Sequence, residues 1–308
     1  MSKKSGKAVS RPRIMNTNKK RFSIIGCGRV GVSLAVFLSD KGFEPVGFYS
    51  KTRASAEYAS KMAECGSVFD TACDCAKAGE IVFITTPDTL IEPVCIDLVK
   101  DKGIGSQHMV FHLSGALSSD ILASARDAGA KAGSIHPLQA FTPYEKGQDN
   151  PFADINISVE GDQDAVTLGK EIVTALGARA FAIPTDSKTL YHASAVVASN
   201  YLVTLEHFAL RLLMETGLDE AMAYEILEPL IQGTLANIKA KGCTQALTGP
   251  VARGDHEIVS RHLKDIDIKT PQFALLYRLL GDHTLSLAKS GAGLNEKAEQ
   301  KLSRLFSR

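Results

Sequence analysis

Residues 22–31, FSIIGCGRVG, carry an apolar strand straight into G-x-G-x-x-G, and an apolar-periodic helix opens behind it through Leu34, Ala35, Phe37 and Leu38. No other segment restricts the fold so tightly. Gly26 permits the tight turn, Gly28 lets a pyrophosphate approach the backbone, and Gly31 allows helix and strand to pack closely. The first helical residues, Arg29 and Val30 with Gly31, then turn backbone N–H groups and the positive end of the helix toward the phosphates. The segment implies a doubly wound α/β domain that holds a dinucleotide.

The second strand suggests which dinucleotide. An NAD site places Asp or Glu about 20 residues after the glycines, where it accepts hydrogen bonds from the ribose. Here the strand Glu44–Tyr49 ends in Ser50-Lys-Thr-Arg53, hydroxyls and two cations. Ser50, Lys51 and Arg53 suit an extra phosphate on that ribose, which Arg can grip in a fork. NADP is therefore the expected cofactor; the plain alternative is that Lys51 and Arg53 are solvated residues at a helix start.

At 308 residues, 44% hydrophobic and 22% charged, the chain has the make-up of an ordinary globular protein with room for two domains. Its net charge of +1 hides an asymmetry, because residues 1–21 hold eight Lys or Arg and no acid, leaving 27 basic against 34 acidic residues in the body. A mildly acidic body disfavours nucleic acid as a partner. Residues 1–20 lack an apolar h-region and an apolar stripe, and read as a disordered basic tail rather than a secretory signal or transit peptide. The six cysteines form neither a C-x-x-C nor a Cys/His ligand pattern, so reduced thiols, a cytoplasmic location and no bound metal are expected. Cys73-Asp-Cys75 lacks the further ligands that structural zinc needs. No window approaches the ~18 apolar residues of a membrane span.

Strands and helices alternate through the first part. Strands are expected at 22–25, 44–49, 67–69, 80–85, 108–113, 131–134, 156–159 and 179–183, with helices at 54–62, 89–100, 119–128 and 162–176 and a short one around Cys73. Pro184-Thr-Asp186 closes this domain, 21–186. From Lys188 to about Glu215 the chain reads as one long helix, apolar nearly all round, which must be buried. Further helices at 219–239, 255–263 and 271–288 complete an all-helical domain, 187–308. A buried helix of that length in so small a domain needs cover from a second copy, so a homodimer through the helical domain is expected.

In a doubly wound sheet ligands lie beyond the carboxyl ends of the strands. Thr86 and Pro87, after the fourth strand, could border the nicotinamide ribose, while Asp88 either joins them or caps the next helix. Ser114, after the fifth, sits in a small polar loop fit for a close backbone approach, or is only a cap. His136 and Gln139 bring imidazole and amide to the loop after the sixth; the alternative is a Pro-fixed loop with a structural His. On the long helix, Lys188, His192 and Asn200 fall within an arc of about 120° and draw one polar stripe. Lys188 or His192 could supply a proton beside a hydride donor while Asn200 holds the substrate, unless the stripe is a satisfied interhelical network. Arg253, between Thr248-Gly-Pro and Asp255, either reaches an anionic substrate or closes a salt bridge, and Asp255 is placed to cap the helix behind it.

Taken together, the 26–31 glycine turn, the His112/Ser114 loop, His136-Pro-Leu-Gln-Ala-Phe141, the stretch from Tyr191-His192 to Asn200, and Thr248 to Asp255 resemble a family of NADP-dependent oxidoreductases. Its members pair a Rossmann-like domain with a helical domain of unknown function numbered 2520. The resemblance implies the two-domain architecture, NADP binding and a helical dimer. More distantly the chain looks like ketopantoate reductase, pyrroline-5-carboxylate reductase and 6-phosphogluconate-type hydroxyacid dehydrogenases, which would put catalytic residues at the start of the long helix. Those hydroxyacid enzymes read K-x-x-x-N there, whereas this chain reads Lys188-x-x-x-His192, a departure that argues against a simple 3-hydroxyacid. The expected protein is an NADP-dependent enzyme acting on a small polar C=O/CH–OH or C=N/CH–NH substrate between its domains. The rivals are an NADP-binding sensor without turnover and a prephenate-like dehydrogenase.

Overall fold

The structure, a computed structural model, describes residues 19–39, 41–291 and 293–307. The expected disordered tail falls, but for residues 19 and 20, outside them. The chain divides between Val196 and Val197 into two compact units.

The first unit runs β1 (Lys20–Ile25), α1 (Arg29–Leu38), β2 (Phe43–Tyr49), α2 (Arg53–Ala63), β3 (Ser67–Val68), α3 (Ala72–Ala78), β4 (Ile81–Ile84), α4 (Asp88–Lys100) and β5 (Met109–His112). A 3-10 turn (Ser119–Leu122), α5 (Ala123–Asp127), β6 (Lys131–Pro137), β7 (Asn156–Gly161), α6 (Gln163–Ala175), β8 (Arg179–Ala182) and α7 (Lys188–Val196) complete it. The strands form one sheet ordered β3-β2-β1-β4-β5-β6-β7-β8. All pair in parallel except β6 with β7, which are antiparallel and joined without a helix.

Both faces of this sheet are covered, and the strands show it in their composition. Phe22, Ile24, Phe83 and Phe111 point to one face, with α1 and α6, while Ile25, Val82, Ile84 and Val110 point to the other, with residues of α3 and α4. On the first face Phe22 meets Phe83 edge-on with centroids 5.6 Å apart, and Phe83 stacks on Phe111 at 5.8 Å. Each such fully buried ring contributes about 2–3 kcal/mol.

The reversal at β7 decides where α7 starts. Because β8 lies parallel to β7, Ala182 ends beside Val159, which in turn faces Ile135, midway along β6. The chain then turns through Thr185–Ser187 and α7 climbs along β6 toward its carboxyl end. One helical turn rises about 5.4 Å and two strand residues about 6.6 Å, so Lys188 with Tyr191 and His192 fall opposite Ser134 and His136.

The second unit holds a π turn (Val197–Tyr201), α8 (Leu202–Met214), α9 (Glu220–Ala246), α10 (His256–Lys269), α11 (Ala274–Lys289) and α12 (Glu296–Phe306). Its core joins α10, α11 and α12 through Val259, Leu263, Leu285, Leu302 and Phe306. A Cβ on Gly281 would lie 2.2 Å from the Phe306 ring, so α11 and α12 touch only because that residue is glycine. Asp255 caps α10, its carboxylate accepting the Ile258 N–H at 3.1 Å. The predicted long helix is present from Lys188 onward, but the π turn interrupts it. It is also not buried in the single chain: Leu190, Val197, Tyr201 and Val203 are 58–78% exposed. Ala223 is the buried residue of α9, and α12 had no counterpart in the sequence reading.

Candidate active site

The glycine turn closes as its sequence requires. Gly26 sits at φ +106°, and a Cβ there would lie 2.8 Å from the Thr85 carbonyl carbon and the Thr86 nitrogen. A Cβ on Gly31 would lie 2.6 Å from the Gly26 carbonyl oxygen, while one on Gly28 would meet nothing within 4 Å. Two of the glycines thus serve packing, and the middle one faces open space. The Gly28 carbonyl accepts the Val32 N–H at 2.9 Å, so the N–H groups of Arg29, Val30 and Gly31 precede the first intrahelical bond. Gly28 caps α1 with no side-chain bond. The Thr85 hydroxyl donates to the Gly26 carbonyl, and Thr86 Oγ1 is buried without a partner. An open face at Gly28, free helix-start amides and an unpartnered hydroxyl fit a dinucleotide pyrophosphate and ribose. In the same turn Cys27 is buried, and desolvation pushes its thiol up to about 12.

The end of β2 is tied to that turn, Ser50 Oγ accepting the Cys27 N–H at 3.4 Å. Lys51 is exposed. Arg53 is exposed as well, and its guanidinium binds Glu57 at 2.9 Å and Asp70 across the turn.

Beyond β4 and β5 a hydrogen-bonded bridge leads away from the glycines. Asp88 is the first residue of α4 and not its side-chain cap; its carboxylate accepts the Ser114 hydroxyl at 2.8 Å. Ser114 Oγ in turn accepts the N–H groups of Ala116 and Leu117 at 3.2 and 3.1 Å. His112 holds the loop from below: Nδ1 accepts the Ser114 N–H and Nε2 lies 3.2 Å from the Ser118 carbonyl. Burial, with the Lys188 cation nearby, pushes its pKa down to about 3, so it stays neutral.

Gly115 is the hinge of the cluster. A Cβ there would fall 2.6 Å from His136 Cε1 and Nε2 and 2.7 Å from His192 Nδ1, so both imidazoles close on a bare glycine. His192 Nδ1 is buried with no partner. His136 Nδ1 lies 2.9 Å from the Tyr191 hydroxyl, and its ring packs edge-on against Tyr191 and His192. Burial and then the Lys188 charge push His136 down to about 4. Lys188 is 1% exposed, donates to Ser134 Oγ at 2.8 Å, and stands 5.7 Å from the Tyr191 ring centre. Desolvation lowers its pKa to about 8, and Glu160 opposes the fall through space. Glu160 is itself buried, its oxygens accepting the Ser119 N–H and hydroxyl and the Thr185 hydroxyl at 2.8–3.0 Å.

Of the residues expected from sequence, the first unit brings Ser114, His136, Lys188 and His192 into one cluster. Gln139 is exposed in the loop after β6. Asn200 lies in the π turn of the second unit, exposed, and the π turn departs from the 100° step on which the polar stripe was drawn. Arg253 is exposed in the second unit. Ser134, Tyr191 and Glu160 had been given no site role, Tyr191 entering only with the stretch that carries the family resemblance; the two-residue repeat along β6, which puts Ser134 and His136 on one face, was the signal for the first. Among the described residues no group of three or more His, Cys, Asp or Glu could hold a metal, and no helix is long and apolar enough to cross a membrane.

Residues 8–137 match the model of a Rossmann-like domain, and residues 155–284 that of a domain of unknown function, DUF2520. The chain is similar in structure to a candidate NADP oxidoreductase from Bacteroides fragilis, with a TM-score of 0.69 and 21% identity over 87% of this chain and 99% of that one. A protein from Thermotoga maritima gives a TM-score of 0.68 and 26% identity over 87% and 98%. An imine reductase from Myxococcus stipitatus, in complex with NAD+, gives 0.62 and 16% over 94% and 99%. No curated protein matches the sequence. Glycine turn, sheet order and domain matches converge: this chain joins a Rossmann-like domain to a DUF2520 domain.

Proposed function

We propose that the protein is an NADP-dependent oxidoreductase acting on a small polar substrate with a C=O/CH–OH or C=N/CH–NH centre. The observation that carries this reading is the bridge from the glycine turn to the imidazoles: Gly26 against Thr85 and Thr86, Asp88 to Ser114, and Gly115 between His136 and His192. It sets proton-bearing groups next to the place where a nicotinamide extends from a pyrophosphate on α1.

In this reading Gly26, Gly28, Arg29, Val30 and Gly31 hold the pyrophosphate, Ser50, Lys51 and Arg53 the 2′-phosphate, and Thr86 and Pro87 the ribose. The bound dinucleotide supplies or takes up a hydride. Neutral His136, with His192 beside it, lines the reacting centre, and the Lys188 ammonium favours negative charge that develops there. Gln139, Asn200 and Arg253 remain proposed substrate contacts. The similarity to an imine reductase and to pyrroline carboxylate reductases supports a C=N substrate alongside C=O. The exposed apolar side chains of α8 and α9, among them Val203, Tyr224 and Leu230, support a homodimer through the helical domain.

The deciding experiment titrates the purified protein with NADPH and NADH by nucleotide fluorescence, then screens small keto acids and cyclic imines for NADPH oxidation. Tight NADPH binding with turnover upholds the reading. Binding without turnover of any compound favours a sensor, and no binding of either nucleotide removes both.

A further inference from the structure

Lys188, the residue that chain position favours as proton donor, is sealed off, being 1% exposed with its ammonium directed to Ser134 on the sheet. Tyr191, one turn further along α7, is only partly buried, and its hydroxyl meets His136 at the carboxyl end of β6. Phe181 packs edge-on against the Tyr191 ring at 5.9 Å and His136 does so at 5.6 Å, which fixes the ring's plane. The Lys188 charge stands 5.7 Å from that ring. Burial pushes the Tyr191 hydroxyl above its usual pKa, and a cation this close to the ring favours the phenolate against that rise.

We propose that Tyr191 hands the proton to the reduced centre, with His136 orienting its hydroxyl and Lys188 acting behind it as a fixed positive charge. This rests on the oxidoreductase reading above. As the hydride reaches the carbon of C=O or C=N, the π pair moves to oxygen or nitrogen, which takes the Tyr191 proton; the O–H bond of the phenol breaks and a phenolate remains. Water then returns a proton to the phenolate. For the hydroxyl to point at a substrate, His136 must carry its single proton on Nδ1 and donate it to the Tyr191 oxygen. Its Nε2 then presents a lone pair to Gly115, where a Cβ would lie only 2.6 Å away.

The tautomer is the first test. Long-range 1H–15N spectra of histidine-labelled protein, assigned with His136→Asn, are expected to show His136 as the Nδ1–H form; the Nε2–H form overturns the proposal. Second, in protein labelled at the tyrosine ring carbon bearing oxygen, the resonance missing from Tyr191→Phe is expected to titrate about half a pH unit or more higher in Lys188→Gln. An unchanged midpoint overturns the role of the charge. Third, with 1-pyrroline and pyruvate as probes, Tyr191→Phe is expected to lose about 100-fold in kcat while binding NADPH as the parent does. An unchanged kcat overturns Tyr191 as donor. If the parent protein binds NADPH and oxidises it with neither probe, the oxidoreductase reading is what fails, and the tautomer still upholds or overturns the Tyr191–His136 arrangement.

Discussion

Lys188 Nζ donates a 2.8 Å hydrogen bond to Ser134 Oγ, and both side chains are buried, so the first residue of α7 is pinned to the middle of β6. A buried ammonium needs compensation, and here it comes from one hydroxyl, a nearby aromatic ring and a carboxylate acting through space. The arrangement fixes the height of α7 on the sheet and hence the meeting of Tyr191 with His136.

Burial of Lys188 predicts how stability depends on pH. Its pKa falls from 10.5 to about 8 on folding, so between those values the unfolded chain binds more protons and stability rises with pH. The shift corresponds to roughly 3 kcal/mol across that window. His136, lowered from 6.5 to about 4, acts in the same sense, its contribution being lost as pH falls from 6.5 toward 4. Urea midpoints against pH are expected to rise between pH 8 and 10.5 in the parent and to stay flatter in Lys188→Met; parallel curves would refute this.

Gly115→Ala places a methyl 2.6–2.7 Å from two imidazole rings. The rings or the loop must move, at a cost of about 1–3 kcal/mol. Thermal unfolding is expected to show that loss together with reduced turnover, and a neutral substitution would mean that the loop is looser than described.

Gly28→Ala separates binding from folding. Gly28 has φ −84°, a value open to alanine, and its Cβ would meet nothing, so the melting temperature should hold. The same methyl enters the space proposed for the pyrophosphate, and the NADPH Kd is expected to rise by about tenfold or more, or 1.4 kcal/mol. Unchanged affinity would move the phosphates elsewhere.

How far these features could be read in advance depended on the range of the interaction. Each of the eight expected strands is present, because short apolar runs between turn residues and the glycine turn itself are local properties of the chain. Ser114 and Lys188 could be named from their places after a strand and at a helix start, whereas His136, expected in the loop after a strand ending at 134, lies within β6, which runs on to Pro137 because it pairs with β7. The antiparallel β7 was not legible, since a strand's direction leaves no mark on its own residues, and Ser134 and Glu160 gain their meaning only from the register it sets. The π turn was hidden for a related reason: Val197-Ala-Ser-Asn-Tyr201 contains nothing that a regular helix excludes.

Arg53→Ala tests the choice of nucleotide. The guanidinium now paired with Glu57 and Asp70 is proposed to turn to the 2′-phosphate. The Kd for NADP is expected to rise by about tenfold or more while that for NAD stays level; equal effects on both would remove the argument for NADP.

Leu230→Glu, on the exposed face of α9 with Leu230 at 67% exposure, tests the homodimer. Sedimentation is expected to show a dimer for the parent chain and a monomer for the variant; a parent that sediments as a monomer at high concentration would discard the second copy.

The cysteine in the glycine turn has a consequence for the cell. Because Cys27 keeps its hydrogen even in alkaline medium, peroxide finds almost no thiolate to attack. Nucleotide capture should therefore outlast oxidative stress that scavenges exposed thiols such as Cys243, and the protein would keep its grip on reducing equivalents when they are most in demand.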